Sequence, residues 1–218
     1  MKPLLVLNFK AFQSATGSNA VRLARISESF ARKNKTFQVV VCPSFTDLPA
    51  VSKVCSKCWV FSQHVDDVDQ GAFTGSFPVL IAAKYCSGTL LNHSERKIPL
   101  AVLKKTIALC RKHRLKTLVC AETIKEAKTV ARFSPSFLAV EPPDLIGSGI
   151  SISTAKPQLI TTAIGAVKKI SRKLPVLVGA GVSTAEDVRR SLELGADGVL
   201  VASAFAKNKN PKKWLASL

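Results

Sequence analysis

Eight short apolar runs, most of them followed by a segment with helical periodicity, constrain the fold of this chain more than any other feature. The runs lie at residues 4–9, 37–42, 59–62, 88–91, 117–120, 137–140, 176–179 and 198–201. They are continuous and do not alternate with polar residues, which is typical of parallel strands covered on both faces. Helical patterns lie near residues 20–32, 100–111, 123–132, 158–172 and 185–194, with shorter ones at 47–54, 78–84 and 212–218.

Eight such units predict a closed (β/α)8 barrel of parallel strands inside a layer of helices. No linker-like or low-complexity stretch interrupts the sequence, so we expect residues 1–218 to form a single domain. An open, doubly wound sheet is the alternative, but no G-x-G-x-x-G motif follows an early strand.

Three of the predicted strands end in polar residues that could carry chemistry. Glu141 follows the sixth run and precedes two prolines and a Gly-Ser-Gly segment, which is the layout of a base under a closing lid. His93 follows the fourth run, just before a helix that Ser94 could cap, and the helix dipole there would keep its imidazole neutral. Asn8 and Lys10 end the first run, and the period of a strand places both side chains on one face.

Each of these residues, taken alone, has an ordinary explanation, such as a surface ion pair for Glu141 or a capping cluster around His93. On a barrel, however, the carboxyl ends of all strands open onto one face. The convergence of Asn8, Lys10, His93 and Glu141 there predicts a shared active site. A carboxylate base and a neutral hydrogen-bond donor to a developing oxyanion suit a proton transfer on an anionic, carbonyl-bearing ligand.

The ends of the last two runs predict an anion site beside these residues. The seventh run leads into G-A-G-V-S-T at 179–184, and the eighth ends in Ala202 and Ser203. Small residues let backbone N–H groups approach a ligand, and barrels frequently bind phosphate with the loops after strands seven and eight.

In the order and spacing of five motifs, the chain resembles the triosephosphate isomerases over essentially its full length. The motifs are N-F-K at 8–10, G-A-F-T-G at 71–75, N-H-S-E at 92–95, E-P-P-D-L-I-G-S-G at 141–149 and G-A-G-V-S-T at 179–184. The compact length, the Glu-Pro-Pro lid and the Ala202-Ser203 ending are similar to the archaeal branch. The resemblance implies a TIM barrel enzyme of glycolysis and gluconeogenesis. It would interconvert dihydroxyacetone phosphate and D-glyceraldehyde 3-phosphate, with neither a metal nor an organic cofactor.

The resemblance also implies a role for each residue. Glu141 would be the base and His93 the neutral electrophile, a pairing for which triosephosphate isomerase is itself the standard example. Lys10 would act electrostatically on the substrate, Asn8 would position it, and Glu95 would be a carboxylate near Lys10. The phosphate would be held by backbone N–H groups near Ile146, Gly147, Gly181, Ala202 and Ser203.

The loop at 70–75 predicts self-association. It carries Phe73 between flexible glycines, and an exposed aromatic residue of this kind suggests insertion into a partner. In the family that the chain resembles, the matching loop reaches the neighbouring subunit, which would bring Thr74 close to the neighbour's active site. Archaeal members also pair dimers into tetramers. We therefore expect a homodimer at minimum and favour a tetramer.

The net charge of +18 exceeds what steering of a phosphate dianion requires. Three alternatives would explain the excess charge: binding to RNA, binding to an anionic membrane surface, or a proteome that is basic throughout. Because the Lys and Arg residues are dispersed and lack interleaved aromatic residues, solvated helix faces are favoured over nucleic-acid binding. No apolar run approaches the ~20 residues that cross a bilayer, and the N-terminus lacks a signal-peptide pattern, so we expect a soluble, cytoplasmic protein.

Two other functional classes remain open at this stage. One is a basic, nucleic-acid-binding barrel that has lost its chemistry, and the other is an isomerase of a different phosphosugar. The six cysteines do not point to a metal, because Cys55-x-x-Cys58 is a lone pair spacing with no second pair. Reduced thiols are the expectation for the cytosol, with disulfides in hyperthermophile cells as the exception.

Overall fold

The computed structural model describes residues 2–142 and 151–218 of the chain. Eight parallel strands form a closed barrel in the order of the sequence, and the last strand pairs with the first. The strands are β1 Leu4–Asn8, β2 Gln38–Cys42, β3 Trp59–Ser62, β4 Gly88–Leu91, β5 Lys116–Ala121, β6 Phe137–Val140, β7 Val176–Val178 and β8 Gly198–Val201. The predicted (β/α)8 barrel is therefore confirmed, and the open-sheet alternative is wrong.

Helices surround the barrel and connect its strands. They are α1 Ser18–Lys33, α2 Leu48–Val54, α3 Val79–Ala82, α4 Leu100–Lys112, α5 Ile124–Ala131, α6 Ile152–Ala155, α7 Pro157–Lys168, α8 Ala185–Glu193, α9 Ser203–Ala206 and α10 Pro211–Ala216. Three short 3-10 helices lie at Gln13–Ala15, Phe45–Asp47 and Ser94–Arg96. None of the helices in these two ranges is both long enough and apolar enough to cross a membrane.

The continuous apolar runs are explained by a core with two layers. Within β1, Leu4 and Val6 point into the barrel, whereas Leu5 and Leu7 point toward the helices. Because both faces of each strand are buried, neither face needs polar residues. The residues that fill the barrel are Leu4, Val6, Val40, Cys42, Phe61, Leu90, Leu118, Cys120, Phe137, Ala139, Leu177 and Leu200.

Closure between the last strand and the first depends on a glycine. A Cβ atom on Gly198 would lie 2.4 Å from the carbonyl oxygen of Leu4. The β8 backbone approaches β1 too closely for any side chain at this position, and the parallel register continues from there to Val201 opposite Leu7. This contact keeps the carboxyl ends of β1 and β8 side by side.

The helix ends follow the sequence signals unevenly. Thr184, directly before α8, caps this helix in a reciprocal capping box with Asp187. By contrast, α7 ends at Lys168, four residues earlier than expected. The chain turns there, because the N–H of Ile170 bonds to Val167, three residues back, and the N–H of Leu174 bonds to Ser171.

Candidate active site

Most of the predicted site residues meet at the carboxyl end of the barrel. A cavity of about 300 Å³ is lined by residues that include Lys10, His93, Glu141, Gly181, Ala202 and Ser203. A second cavity of about 330 Å³ shares Lys10 and His93 and adds Asn8 and Glu95. The structure therefore brings these eight residues together at one end of the barrel. Ile146 and Gly147 lie outside the described residues.

Glu141 is buried at the end of β6, with one oxygen unsatisfied. Its N–H bonds to the carbonyl of Ala121 at 2.9 Å, which extends the pairing of β6 with β5 by one residue. Its Oε2 atom is buried and has no hydrogen-bond partner among residues 2–142 and 151–218. The nearest ring nitrogen, Nε2 of His93, lies 3.9 Å away, beyond hydrogen-bond range. A buried carboxylate oxygen without a partner is costly, so this atom is placed to accept from a ligand.

Two neighbours shape the space around the Glu141 carboxylate. A Cβ atom on Gly179 would lie 2.3 Å from Oε1, so only glycine leaves room for this side chain at the start of the β7 loop. On the other side, burial and then the charge and hydrogen bonding of Glu141 raise the pKa of the Cys120 thiol well above its usual value. From the sequence, Gly179 is predicted only as part of a phosphate site, because its packing against Glu141 leaves no local signal.

His93 presents one defined nitrogen to the cavity. Its Nδ1 atom accepts the N–H of Glu95 at 3.2 Å, and an Nδ1 that accepts a hydrogen bond carries no proton. The proton of a neutral ring is then on Nε2, the atom that faces Glu141. The expectation that Ser94 caps the following helix is wrong. His93 itself caps the 3-10 helix Ser94–Arg96, and α4 begins only after Pro99. No long helix begins directly after His93, so its dipole does not act on the ring as expected. The hydrogen bond from the Glu95 N–H to Nδ1 is the contact that orients the imidazole.

Lys10 reaches the site from a strained turn. Strand β1 ends at Asn8, and Lys10 has a φ of 50°, in the left-handed region that non-glycine residues rarely adopt. The alternation of side chains along a strand therefore does not extend to Lys10. The prediction that strand periodicity places Asn8 and Lys10 on one face is wrong. Instead, Asn8 Oδ1 accepts the Lys10 N–H at 3.0 Å and Gln63 donates to the Lys10 carbonyl at 2.9 Å. These bonds aim the ammonium group at Glu95, 2.7 Å from its Oε1 atom.

The far end of the 300 Å³ cavity is built from backbone. Gly181 has a φ of 72°, and Ser203 begins the four-residue helix α9, which the sequence analysis missed. Among the described residues, the N–H groups of Gly181 and Ser203 have no hydrogen-bond partner. Lys207, also missed, lines this end and lies over the ring of Phe12 at 4.3 Å. Free N–H groups beside an ammonium group suit an oxyanion such as phosphate.

Thr74 lies elsewhere. The loop at 70–75 is exposed and contributes to neither cavity, and Phe73 at its tip keeps 43% of its surface exposed. The stem of this loop is fixed to α4, where Lys105 pairs with Asp67 at 2.8 Å and Lys112 with Asp69 at 2.9 Å. The loop therefore leaves a partly exposed apolar side chain, Phe73, on a stem that is fixed by ion pairs.

Comparison with known proteins gives one family. The family model described as triosephosphate isomerase matches residues 3–217. The chain is 40% identical to the triosephosphate isomerase of Methanobrevibacter smithii, over 99% of this chain and 97% of the relative. It is 39% identical to that of Methanothermus fervidus, over 100% and 97%, and 40% identical to that of Methanopyrus kandleri, over 99% and 96%. The resemblance inferred from the motifs is confirmed.

Proposed function

The chain belongs to the triosephosphate isomerase family, and from that premise we propose that Glu141 is the base through which it interconverts dihydroxyacetone phosphate and D-glyceraldehyde 3-phosphate. It is an aldose–ketose isomerase, and we place its reaction in glycolysis and gluconeogenesis in the cytoplasm. The observation that carries the proposal is the buried Glu141 Oε2 atom, which has no partner in the described structure and lies 3.9 Å from His93 Nε2.

The two side chains suit opposite sides of one proton transfer. Glu141 would remove a proton from the carbon next to the substrate carbonyl, and the enediolate oxygen that develops would accept from His93 Nε2–H. The bond from the Glu95 N–H to Nδ1 supports this assignment, because it leaves the ring proton on the nitrogen that faces the cavity. Glu141 would then return the proton to the neighbouring carbon.

Lys10 and the backbone N–H groups hold the anionic part of the substrate in this scheme. The Lys10 side chain is 16% exposed and its ammonium group is paired with Glu95, so its position is fixed before substrate arrives. The phosphate would lie against the N–H groups of Gly181, Ala202 and Ser203, opposite the reacting carbons. Asn8 acts through the Lys10 turn and so positions the ammonium group.

A coupled assay on the purified protein tests the activity in both directions. Turnover of glyceraldehyde 3-phosphate and of dihydroxyacetone phosphate is expected, while a pentose phosphate should react far more slowly because the described cavity measures only about 300 Å³. RNA should not be retained at moderate salt. Retention of RNA with no isomerase turnover would instead favour the non-enzymatic, basic barrel.

We also propose that the chain forms a homodimer, and that two dimers form a tetramer. The exposed Phe73 tip on its fixed stem supports this, as does the 330 Å³ cavity beside Lys10, where Phe45 is 39% exposed. The net charge of +18 opposes association when salt is low. Light scattering at moderate salt should give at least twice the 23.4 kDa chain mass. A fully active monomer at micromolar concentration would contradict this role of the loop.

A further inference from the structure

A cluster of sulfur and carboxylate groups lies at the opposite end of the barrel from the candidate active site. Cys55 directly follows α2, and Cys58 directly precedes β3. The two Sγ atoms and one carboxylate oxygen of Glu28, on α1, all lie within 4.8 Å of one another. The two thiols are therefore already neighbours in the folded chain.

Glu28 holds the turn that brings the thiols together. Its Oε2 atom accepts the N–H groups of Ser56, Lys57 and Cys58 at 3.1, 2.9 and 3.0 Å. Its Oε1 atom accepts the Ser56 hydroxyl at 2.7 Å and lies 3.0 Å from Arg32. A turn fixed by three backbone bonds and one side-chain bond keeps Cys58 beside Cys55 without further ordering of the chain.

Access separates Cys55 from the other cysteines. It is half-buried, whereas the other five are buried. Burial raises the pKa of Cys86 and Cys110 to about 12 and that of Cys42 well above its usual value, so these thiols stay protonated and shielded. The neighbouring Cys55 thiol, burial and the negative charge of Glu28 also raise the pKa of Cys58. Cys55 is therefore the thiol that a reagent in solvent can reach, and Cys58 is the buried thiol next to it.

We propose that Cys55 and Cys58 form a reversible disulfide by exchange with a small-molecule disulfide. The Cys55 thiolate attacks one sulfur of the oxidant, forms a mixed disulfide and releases the first small thiol. Cys58 then gives up its proton and attacks Cys55 Sγ, which releases the second small thiol. The two cysteines lose two electrons and two protons, and the oxidant becomes two thiols, so the exchange is balanced.

The same three residues suit a metal ion less well. Both Glu28 oxygens already accept several hydrogen bonds, and a structural zinc site takes four ligands where this cluster offers three. A disulfide needs only the two sulfurs. Because it would join the end of α2 to the start of β3, far from Glu141, it should raise thermal stability and leave turnover unchanged.

The test compares the wild-type protein with Cys55→Ser and Cys58→Ser in a glutathione redox buffer, followed by thiol counting and intact mass. In the wild type, free thiols should fall from six to four per chain, with a loss of two hydrogens and no attached glutathione. Cys58→Ser should accumulate one glutathione on Cys55 that dithiothreitol removes. Cys55→Ser should lose thiols at least ~10-fold more slowly, as expected when the accessible attacking thiol is gone.

Isomerase activity provides the folding control, since all three proteins should turn over substrate at the same rate. Stable glutathione on wild-type Cys55, without the internal disulfide, would overturn the proposal. So would one equivalent of zinc per chain that is retained by the wild type and lost in both variants, because that result assigns the cluster to a metal.

Discussion

Glu141 and Glu28 are both buried carboxylates at opposite ends of the barrel, but they differ in the hydrogen bonds that they accept. Glu28, near the amino ends of the strands, accepts from three backbone N–H groups and a serine hydroxyl of a single turn. Glu141, at the carboxyl ends, keeps a buried oxygen with no partner in the described structure. Burial alone therefore does not identify a functional carboxylate. What makes Glu141 the candidate base is the hydrogen-bonding capacity that the fold leaves free at its Oε2 atom.

The electrostatics of Glu28 follow from its partners. Burial would raise its pKa, but the hydrogen bonds from Cys58, Lys57 and Ser56 outweigh that effect and lower the pKa to about 2. The ionised form is thus bound tightly by its own chain and contributes to stability. At the other end, the free oxygen of Glu141 contributes nothing to stability through hydrogen bonding, and remains available for a substrate.

Replacing Glu141 by Gln should produce the largest change in activity. The amide keeps the shape of the side chain but cannot take a proton, so kcat should fall at least ~100-fold. The free energy of unfolding should stay within about 1 kcal/mol of the wild type, because no hydrogen bond to Oε2 is lost. Steady-state kinetics and urea unfolding on the same samples check both expectations. If Glu141→Gln lowered the free energy of unfolding by as much as the activation free energy rises, the proposed difference between Glu141 and Glu28 would be contradicted.

Replacing Glu28 by Gln should give the opposite result, a loss of stability at unchanged kcat. The folded pKa of about 2 lies below the usual 4.5, so the stabilisation is complete above about pH 4.5 and is lost as pH falls toward 2. At 1.36 kcal/mol per pKa unit, this amounts to about 3 kcal/mol. The variant should lack this pH dependence in urea unfolding at fixed protein concentration. Glu186→Gln, an exposed carboxylate paired with Arg189, is the matched control and should change little.

A methyl group on Gly179 tests whether Glu141 needs the space that this glycine leaves. Gly179→Ala places Cβ 2.3 Å from Glu141 Oε1, so the carboxylate must shift, and kcat should fall at least ~10-fold. Gly165→Ala is the control, since nothing lies within 4 Å of its Cβ position in α7. The control should keep full activity and gain up to ~1 kcal/mol of stability from helix propensity. Equal activity of the two variants would show that Glu141 tolerates displacement.

The smallest effect is expected from Glu95, whose side chain is 57% exposed. Glu95→Gln weakens the ion pair with Lys10 but keeps the backbone N–H that bonds to His93. Exposed pairs contribute up to about 1 kcal/mol, so kcat/KM should fall no more than ~5-fold. A loss near that of Glu141→Gln would mean that the Glu95 carboxylate takes part in the proton transfer.

The same contrast explains how much the sequence could predict. The barrel follows from runs that are apolar on both faces, and the bounds of β3, β4, β6 and β8 match the predicted runs. The position of Glu141 and His93 at one end of the barrel is predictable because each directly follows such a run. The position of Lys10 is predicted for a partly wrong reason, since a positive φ and not strand alternation directs its side chain.

What the sequence could not predict depends on contacts between distant segments. The hydrogen bonds that Glu28 accepts join residues about 28 positions apart, so they leave no periodic pattern in the sequence. The contact of Gly179 with Glu141 also joins distant segments. The helices α6 and α9 span four residues each, too few to show a 3.6-residue period. Local pattern therefore predicts which residues lie at the carboxyl end of the barrel better than it predicts the stabilising contacts at the opposite end.

Exchange of carbon-bound hydrogen with solvent tests most directly whether Glu141 is the base. Dihydroxyacetone phosphate is incubated in deuterium oxide with the wild type or with Glu141→Gln, and proton NMR follows the label at the reacting carbons. The wild type should incorporate deuterium as it interconverts the two substrates, and Glu141→Gln should label no faster than a solution without enzyme. Labelling by Glu141→Gln at the wild-type rate would show that another group removes the proton.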